Sequence, residues 1–597
     1  MQKTTLLLLL ILVSFHLAGK QINSETAKKV ALTQLNSQLT TRAVNSDDLQ
    51  LIWTGSPVVR AIDGAPFYLF SNKDGGFALI AGDDRAYPVL GYSTTGQFDP
   101  VNLPPHIAAW IDQYKREIEW LKQNTHYFDP LANNQWQALL SGTSTGQLVK
   151  QIPTPNWDQG QYYYKFTPTL DGKHTYVGCV ATAIGIYMKA TSTVPTQISE
   201  GSVIEYVTID PDITVRRTLP ASYRFDLMPT QLASSSTTEQ INAVANLLAD
   251  CGAITNMKYD TAVSVTRSID IPQGMIRYFG YDKSAAILFR DYYTEAWETT
   301  LIEEIINNRP IIYSGNDIKP GIGHAFILDG YTNDTPAKFA INFGWSGICN
   351  GIYSLNAILP QDPGIGGLTD NYSYNAIAVT HLIPAIEGSK YICNVSMDTI
   401  TMDGHKLKGL TTSTTVFSKN TPFDIMIGGY TNLSVKETIK GEIYLIHTDQ
   451  NGNDKGTIAY IDDLSIRFGY TYYVAFNNVA ITNNIASGDK IRAYVVPTES
   501  DVNQSPVWLK GKPHVISEIN LTTTSLQSPE EKETRVYGNS SGVVIKGESF
   551  VDQKAYIYDL SGMVVDQFIV TSAHQTRPLA KGTYIVKIGS YTRKITL

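Results

Sequence analysis

The hydrophobic pattern of this 597-residue chain changes near Tyr391, and that change limits the folds the chain can adopt. Before Tyr391, segments whose apolar residues have helical spacing alternate with segments that have the alternation of a strand. A long amphipathic helix is predicted over 107–121, for example. Beyond it, short alternating segments such as Glu442–Ile446 and Ile491–Val496 follow one another with few helical runs. The pattern predicts an α+β region followed by β-sandwich modules.

The composition describes an ordinary globular protein of several domains, with 43% hydrophobic and 17% charged residues. The formal net charge of -8 provides no broad basic field. Nucleic acids and anionic membranes are therefore not expected as principal partners.

The first 19 residues predict a signal peptide, because Lys3 precedes an apolar run that ends at small residues. We therefore expect an exported protein. Export would permit disulfides, but four cysteines in so long a chain cannot form a disulfide framework. Cys251 and Cys349 are expected as buried thiols or as an incidental pair.

Two further boundaries are visible along the chain. The polar segment from Asn133 to Gly146 predicts a linker between a first α+β region and a second unit that begins near Gln151. The last segment, with alternation over Ala555–Tyr558 and Thr583–Ile588, predicts a separate small β domain.

Cys179 is a candidate nucleophile. It follows Gly178 and opens an apolar segment with helical spacing, so it is predicted to lie at a helix N-terminus, where backbone amides favour a thiolate. A cysteine that opens an apolar helix is also often a packed core residue. The residue alone does not decide between the two interpretations.

An imidazole and two amides could complete a catalytic site. His324 follows Gly323 at the start of an apolar strand, and Asn342 ends another strand 18 residues later, within reach if the strands form a hairpin. The Asn342 side chain could then accept the ring N–H of His324. Gln159 could donate its amide to an oxyanion. The alternatives are a structural histidine, a turn-forming asparagine and a surface glutamine.

The order Cys179, His324, Asn342 is typical of papain-type thiol peptidases, which need neither a metal nor an organic cofactor. Two other classes of protein remain open. Peptidoglycan amidases and transglutaminase-like enzymes also place a cysteine before a histidine. A cell-surface adhesin with a weak or inactive peptidase-like unit would account for the β modules.

Taken together, these segments resemble the streptopain family of secreted bacterial cysteine peptidases. The resemblance rests on blocks in the first region (75–85 and 90–94), on Gly178–Ala183, on Gly323–Phe326 and on Asn342. It implies a papain-like catalytic domain preceded by a large inhibitory prosegment.

The resemblance also implies residue roles. Cys179 would be the nucleophile, His324 the general base and acid, Asn342 the orienting group and Gln159 the oxyanion donor. The family's Asn-Trp-Gly-Trp reads Asn-Phe-Gly-Trp here. Further site residues are accordingly expected as aromatic cover or substrate contacts, namely Phe343, Trp345 and Gly323.

The terminal segment resembles the sorting domains of type IX secretion, through Tyr558–Gly562 and the turn Leu579–Tyr584. An ordinary β accessory module is the alternative. The resemblance implies outer-membrane secretion machinery as a partner and a secreted or cell-surface location.

The expected domains are a signal peptide (1–19), an inhibitory prosegment (20–150), a papain-like peptidase domain (151–386), a β-sandwich accessory region (387–522) and a C-terminal β sorting domain (523–597). The expected function is that of a zymogen that hydrolyses peptide bonds of host or environmental proteins. Its own prosegment would act as the inhibitor. Lys150–Gln151 is a candidate processing bond, because it lies just before the peptidase domain.

Overall fold

A computed structural model of the chain describes residues 19–39, 43–55, 64–193, 196–292, 296–316, 323–358, 376–402, 404–512, 515–521, 535–539, 542–560, 562–572, 574–589 and 591–597. Residues 1–18 of the predicted signal peptide and Ser561 of the predicted sorting motif lie outside these ranges. Two compact units are present, Met1–Leu521 and Thr522–Leu597. This division is coarser than the five segments expected from the sequence, which remain predictions.

The helices and strands of the described residues confirm the α+β fold class with a β-rich C-terminal region. The α-helices are α1 Ser24–Gln38, α2 Pro105–Gln123, α3 Pro130–Leu140, α4 Cys179–Ala190, α5 Thr238–Ala253, α6 Ile271–Phe279 and α7 Trp297–Ile306. Short 3-10 helices cover Ser46–Asp48, Phe225–Leu227, Ser268–Asp270, Arg290–Tyr292 and Glu548–Phe550.

Strands occur throughout the chain. Those before Tyr391 are β1 Leu49–Trp53, β2 Phe67–Asn72, β3 Phe77–Ala81, β4 Val89–Ser93, β5 Leu148–Gln151, β6 Thr169–Leu170, β7 Lys173–His174, β8 Val203–Val207, β9 Thr214–Thr218, β10 Ala286–Phe289, β11 Ile311–Asn316, β12 Gly323–Thr332, β13 Lys338–Asn342, β14 Gly351–Ser354 and β15 Ile377–Thr380.

The strands after Tyr391 belong to the β-rich part. They are β16 Val395–Met397, β17 Thr399–Met402, β18 His405–Lys408, β19 Leu410–Thr411, β20 Phe423–Asn432, β21 Thr438–Thr448, β22 Asp454–Arg467, β23 Thr471–Val479, β24 Lys490–Pro497, β25 Val507–Trp508, β26 Ile519–Asn520, β27 Arg535–Asn539, β28 Gly542–Lys546, β29 Lys554–Tyr558, β30 Val564–Ile569, β31 His574–Arg577, β32 Thr583–Ile588 and β33 Tyr591–Thr596.

The predicted linker over 133–146 is wrong for most of its length. Helix α3 covers 130–140, because Asp129 caps its first turn by accepting the Leu131 N–H and Pro130 suits the first helical position. Trp136 and Leu139 then bury one side of the helix. The polar composition reflects the exposed side, and the non-helical connection is only 141–147.

One sheet joins the predicted prosegment to the predicted peptidase domain. Its order is β1-β2-β3-β4-β14-β13-β12-β11-β15-β10, with β5 also paired to β12. The junction is the antiparallel pair of β4 and β14, in which Tyr92 lies opposite Ile352 and Gly91 opposite Tyr353. A Cβ at Gly91 would lie 2.4 Å from the Tyr353 ring, so this position requires glycine. The two regions therefore share a continuous sheet.

The central strand β12 is buried on both faces. Ala325 and Ile327 face a core that also contains residues of α4 and α5. Phe326 and Leu328 face a second core, which contains residues of α2, α7 and β1–β4. Trp110 of α2 packs edge-on against Phe326, with ring centroids 5.5 Å apart. The predicted prosegment thus supplies one of the two cores around β12.

Polar contacts from α2 reinforce this shared core. The Tyr114 hydroxyl donates to the Ser354 carbonyl, and the Gln113 amide donates to the Leu355 carbonyl over 3.1 Å. The Glu117 carboxylate accepts the backbone N–H of Ala357 over 2.6 Å. These bonds satisfy backbone groups that burial would otherwise leave without partners.

The β-rich region after Tyr391 contains two sheets around one core, in agreement with a β-sandwich. One sheet has the order β16-β20-β19 with β23 on β20, and the other the order β22-β21-β24-β25 with β26 on β24. In the second compact unit, sheets β27-β28-β31 and β30-β29-β32-β33 enclose a separate small core.

All four cysteines are free, and those other than Cys179 are buried. This agrees with the expectation of buried thiols for Cys251 and Cys349. Within the described ranges, none of the helices combines the length and apolar character that crossing a membrane requires.

Glu117 predicts a pH-dependent stability of the shared core. Burial raises the pKa of this carboxyl from 4.5 to about 7, although the N–H groups of Ala357 and Ile358 and the Gln113 amide oppose the rise. The folded state then binds more protons than the unfolded state between these pH values, so its stability falls as the pH rises from 4.5 to 7. The loss amounts to about 3 kcal/mol.

Glu117→Gln should remove this loss, because glutamine does not titrate and its oxygen can still accept the Ala357 N–H. Thermal unfolding of wild type and variant in a Cys179→Ala background, at pH 4.5 and 8, measures the effect. We expect the variant to gain stability relative to wild type at pH 8. Glu119→Gln, half-buried on the same helix, is the control. A stability difference between wild type and Glu117→Gln that is equal at both pH values would contradict the prediction.

Candidate active site

Cys179 is the first residue of helix α4, as the sequence predicts. The preceding Gly178 has φ 89°, a conformation that favours glycine. A Cβ at Gly178 would also lie 2.7 Å from the Met257 side chain. The chain therefore turns sharply into the helix and presents the thiol at the helix N-terminus.

The Cys179 thiol lies beside the strand that carries His324. Its sulfur is close to the backbone N–H groups of Ala325, Val180 and Cys179 itself, which oppose a rise of its pKa. Burial is the larger effect, so the pKa of Cys179 is raised above the usual value of a cysteine. The helix N-terminus acts in the expected direction, but in this state of the chain it does not produce a lowered pKa.

His324 lies one residue from Ala325, at the start of β12, and is 3% exposed. Its Nε2 is 2.9 Å from the carbonyl oxygen of Phe343. A carbonyl only accepts, so in the neutral ring this contact places the proton on Nε2 and the lone pair on Nδ1. The ring therefore has the tautomer in which Nδ1 can act as a base.

The expected hydrogen bond between His324 and Asn342 is wrong. Asn342 ends β13 opposite Ile327 of β12, so the predicted hairpin is present. However, its amide donates to the Thr154 hydroxyl and the Pro155 carbonyl over 3.0 and 2.9 Å. Its oxygen accepts the Gly344 N–H, which is the turn-forming role considered as the alternative.

The expected aromatic cover by Phe343 is wrong as well. Its ring is 1% exposed and packs in the core against Phe326 and Tyr353, with centroids 5.4 and 5.6 Å apart. The backbone carbonyl of Phe343 is the group that contacts His324 Nε2. Trp345 is half-buried against the same core, and Gly323 is exposed at the start of β12. Substrate contacts of Trp345 and Gly323 remain predictions.

Gln159 is 5% exposed, so the alternative of a surface glutamine is wrong. Its backbone is held on both sides: its N–H donates to Asp158 over 2.6 Å, and its carbonyl accepts the Val177 N–H over 3.0 Å. Among the described residues its side-chain Nε2 has no hydrogen-bond partner. A buried donor without a partner costs free energy unless a ligand binds it, which favours a functional role.

Sequence reasoning missed the groups that connect the two loops of the site. The Asp158 carboxylate accepts the N–H groups of Gln159 and Gly160 and also the Ser346 hydroxyl, over 2.7 Å. It therefore ties the Gln159 loop to the loop that follows Phe343. The sequence signal that could have indicated these groups was the polar residue on each side of the buried Trp157.

Within the described ranges, no cluster of three or more His, Cys, Asp or Glu side chains could hold a metal ion. The Cys179 thiol lies at the strand that carries His324, whose neutral ring bears its lone pair on Nδ1. The carbonyl of Gln159 accepts the Val177 N–H, which holds this amide-bearing residue near the start of helix α4. This set is suited to nucleophilic attack on a carbonyl with general base assistance.

Comparison with known proteins connects this geometry to a family. The model of the Peptidase C10 family matches residues 157–353, and that of the Spi protease inhibitor matches residues 19–118. The first match contains Cys179, His324 and Gln159, and the second contains most of helix α2. Over residues 157–353 the chain is therefore similar to the Peptidase C10 family.

Two relatives are similar to this chain. The thiol protease/hemagglutinin PrtT of Porphyromonas gingivalis is 30% identical over 54% of this chain and 37% of its own length. Streptopain of Streptococcus pyogenes is 27% identical over 61% of this chain and 92% of its own length. The similarity is thus to cysteine peptidases, and residues 19–118 are similar to an inhibitor domain of such enzymes.

Among solved structures, a prointerpain A fragment of Prevotella intermedia is 22% identical, with a TM-score of 0.43. The comparison covers 56% of this chain and 98% of the fragment. Active interpain A of the same organism is 24% identical over 39% of this chain and 94% of its own length, with a TM-score of 0.34.

The raised pKa of Cys179 predicts slow alkylation of the intact chain. Iodoacetamide reacts with the thiolate, so its rate at Cys179 should increase about tenfold per pH unit up to the thiol pKa. Mass spectrometry of the unprocessed chain between pH 6 and 10 measures this rate. Cys179→Ser gives the background from the other three thiols. A rate that is already maximal at pH 7 would contradict the prediction.

Proposed function

We propose that the chain is an active cysteine endopeptidase made as a zymogen, with Cys179 as nucleophile, His324 as general base and acid, and Gln159 as oxyanion donor. One observation supports this most directly: the Cys179 sulfur lies at the N–H of Ala325, the residue after His324. The buried Gln159 amide without a protein partner supports the oxyanion role. Asn342 is reassigned as an anchor for the segment 154–155.

In the proposed reaction, Nδ1 of His324 takes the thiol proton and the Cys179 thiolate attacks a peptide carbonyl. The oxyanion accepts hydrogen bonds from Gln159 Nε2 and the Cys179 backbone N–H. The imidazolium then protonates the leaving amine, and a thioester remains on Cys179. Water activated by His324 hydrolyses the thioester and restores the thiol.

Contacts of the prosegment with the catalytic strand support latency. Helix α2 packs Trp110 against Phe326, and the Phe326 ring lies 5.9 Å from the His324 ring and 5.4 Å from Phe343. Loss of the prosegment would remove the packing beneath both partners of the His324–Phe343 hydrogen bond. We therefore expect the environment of His324 and Cys179 to change on processing.

The candidate processing bond Lys150–Gln151 is protected here. It lies in β5, which pairs with β12, and Lys150 Nζ donates to the Ile306 carbonyl over 2.8 Å. Proteases bind extended backbone that is free to pair with them, so β5 would have to detach first. The connection 141–147, outside regular structure, is the better first site in this proposal.

Secretion, a cell-surface location and recognition by type IX machinery belong to the same proposal. The predicted signal peptide and the resemblance of the terminal segment support them. Host or environmental proteins would then be the substrates. The alternative of a weak or inactive adhesin draws support from the β-sandwich, and the activity measurements below distinguish it.

Cys179→Ala should abolish both self-processing and casein cleavage, because it removes the nucleophile. The change can be followed by gel mobility over time and by release of peptides from labelled casein. Cys251→Ala removes a buried thiol elsewhere in the same domain and should retain activity. Casein cleavage at the wild-type rate by Cys179→Ala would refute the assignment, and an inactive wild type after processing would favour the adhesin.

Gln159→Ala should lower kcat about 100- to 1000-fold with a smaller change in KM, because the lost hydrogen bond forms mainly in the transition state. Steady-state hydrolysis of a fluorogenic peptide by the processed enzyme measures both constants. Gln240→Ala, which removes a capping glutamine at the start of α5, is the matched control. An unchanged kcat in Gln159→Ala would exclude the oxyanion role.

A further inference from the structure

The carbonyl that replaces Asn342 as partner of His324 belongs to a peptide group that is itself held in place. The Phe343 N–H donates to the Asn350 side-chain oxygen over 3.0 Å. The Phe343 carbonyl accepts from His324 Nε2 over 2.9 Å. A backbone carbonyl orients an imidazole only if the loop that carries it is fixed, and here a side chain provides that restraint.

Asn350 is anchored in turn by the Gln159 loop. Its Nδ2 donates to the Asn156 side-chain oxygen over 3.1 Å, and its backbone N–H donates to the Gly347 carbonyl. Gly347 has φ 83°, and a Cβ there would lie 3.1 Å from the Asn156 side chain. The turn after Phe343 is therefore built around the contact between two asparagines.

We propose that Asn350 is the positioning residue for His324, and that it acts through the Phe343 peptide group. In papain-type sequences this orienting function is expected of Asn342. Here Asn350 has it, and the Phe343 peptide group lies between the Asn350 amide and the His324 imidazole. The proposal rests on the proposed function, since it concerns how that same His324 is oriented.

Of the members of this chain of hydrogen bonds, Asn350, Phe343 and His324 lie within the part that matches the C10 family, and Asn156 directly precedes it. None of these hydrogen bonds includes a prosegment residue, so removal of the prosegment leaves all of their donors and acceptors in the chain. The chain also links His324 to the segment that carries Gln159. One restraint thereby fixes the base relative to the oxyanion donor, which attack on the carbonyl requires.

The physical effect is on the charged form of the imidazole. The thiolate–imidazolium pair gains from a carbonyl dipole that points at Nε2–H, and the gain falls when the carbonyl can rotate away. Less stabilisation of the imidazolium lowers the apparent pKa of the basic limb of kcat/KM. The acidic limb reports deprotonation of the thiol beside an imidazole that is charged in both states, so it should stay close to that of the wild type.

Asn350→Ala should therefore lower kcat about tenfold or more, leave KM within about threefold, and narrow the pH profile of kcat/KM by moving its basic limb to lower pH. Asn350→Asp keeps an acceptor for the Phe343 N–H and adds a negative charge near the imidazolium. It should recover most of the rate and move the basic limb to higher pH. Asn156 can turn its amide to donate to the new carboxylate.

The processed enzyme is tested with a fluorogenic peptide between pH 4 and 10, and active sites are titrated with a thiol-directed epoxide. Asn307→Ala, which removes one exposed side-chain hydrogen bond to the Glu303 carbonyl, is the matched control and should keep the wild-type profile. Where Asn350→Ala does not fold, Asn156→Ala is assessed by the same two measurements. It removes the anchor and should narrow the profile less.

The outcomes separate the two proposals. An active wild type with a narrowed profile in Asn350→Ala and recovery in Asn350→Asp supports the positioning role. If the wild type is active and Asn350→Ala keeps the wild-type pH profile of kcat/KM, the positioning role is overturned, whatever the stability of the variant. The proposed function then remains intact. A processed wild type that neither turns over nor reacts with the epoxide overturns the proposed function, and the inference with it.

Discussion

The packing of helix α4 against strand β12 is the interaction on which the rest of the site depends. Ala325 and Ile327 of β12 share a buried core with the apolar residues of α4, so the helix N-terminus is held at the start of the strand. A thiol at the first helical residue then meets the backbone next to His324. Because this core is formed by alternating strand residues and by one side of a helix, a shift of one residue would turn His324 away from Cys179.

The opposite face of β12 connects catalysis to latency. Phe326 and Leu328 are buried against a core to which the prosegment contributes α2 and four strands. The prosegment is therefore more than a cover over a cleft: its strands extend the peptidase sheet and its side chains support the residue that follows Ala325. Partial burial also explains the raised pKa of Cys179 in this form, because desolvation disfavours the charged thiolate.

The order of interactions at the histidine differs from the simplest papain-type scheme. An amide was expected to contact the imidazole directly, whereas here the Phe343 carbonyl does so and two asparagines restrain the loop. This arrangement frees Asn342 to hold the segment 154–155, which leads into the Gln159 loop. The hydrogen bonds of Asp158 and Asn350 then join the two loops from both sides.

The sequence alone determined the α+β class, the β-rich end of the chain, the helix that starts at Cys179 and the strands of His324 and Asn342. These features follow from local periodicity and from spacing, which are properties of neighbouring residues. Only the tertiary structure decided which polar group binds His324 and that the Phe343 ring points into the core. It also decided that the polar stretch 133–140 is part of a helix with one buried face. Those outcomes depend on the register between paired strands and on the packing of helix and sheet faces. Many residues that are distant in sequence contribute to both.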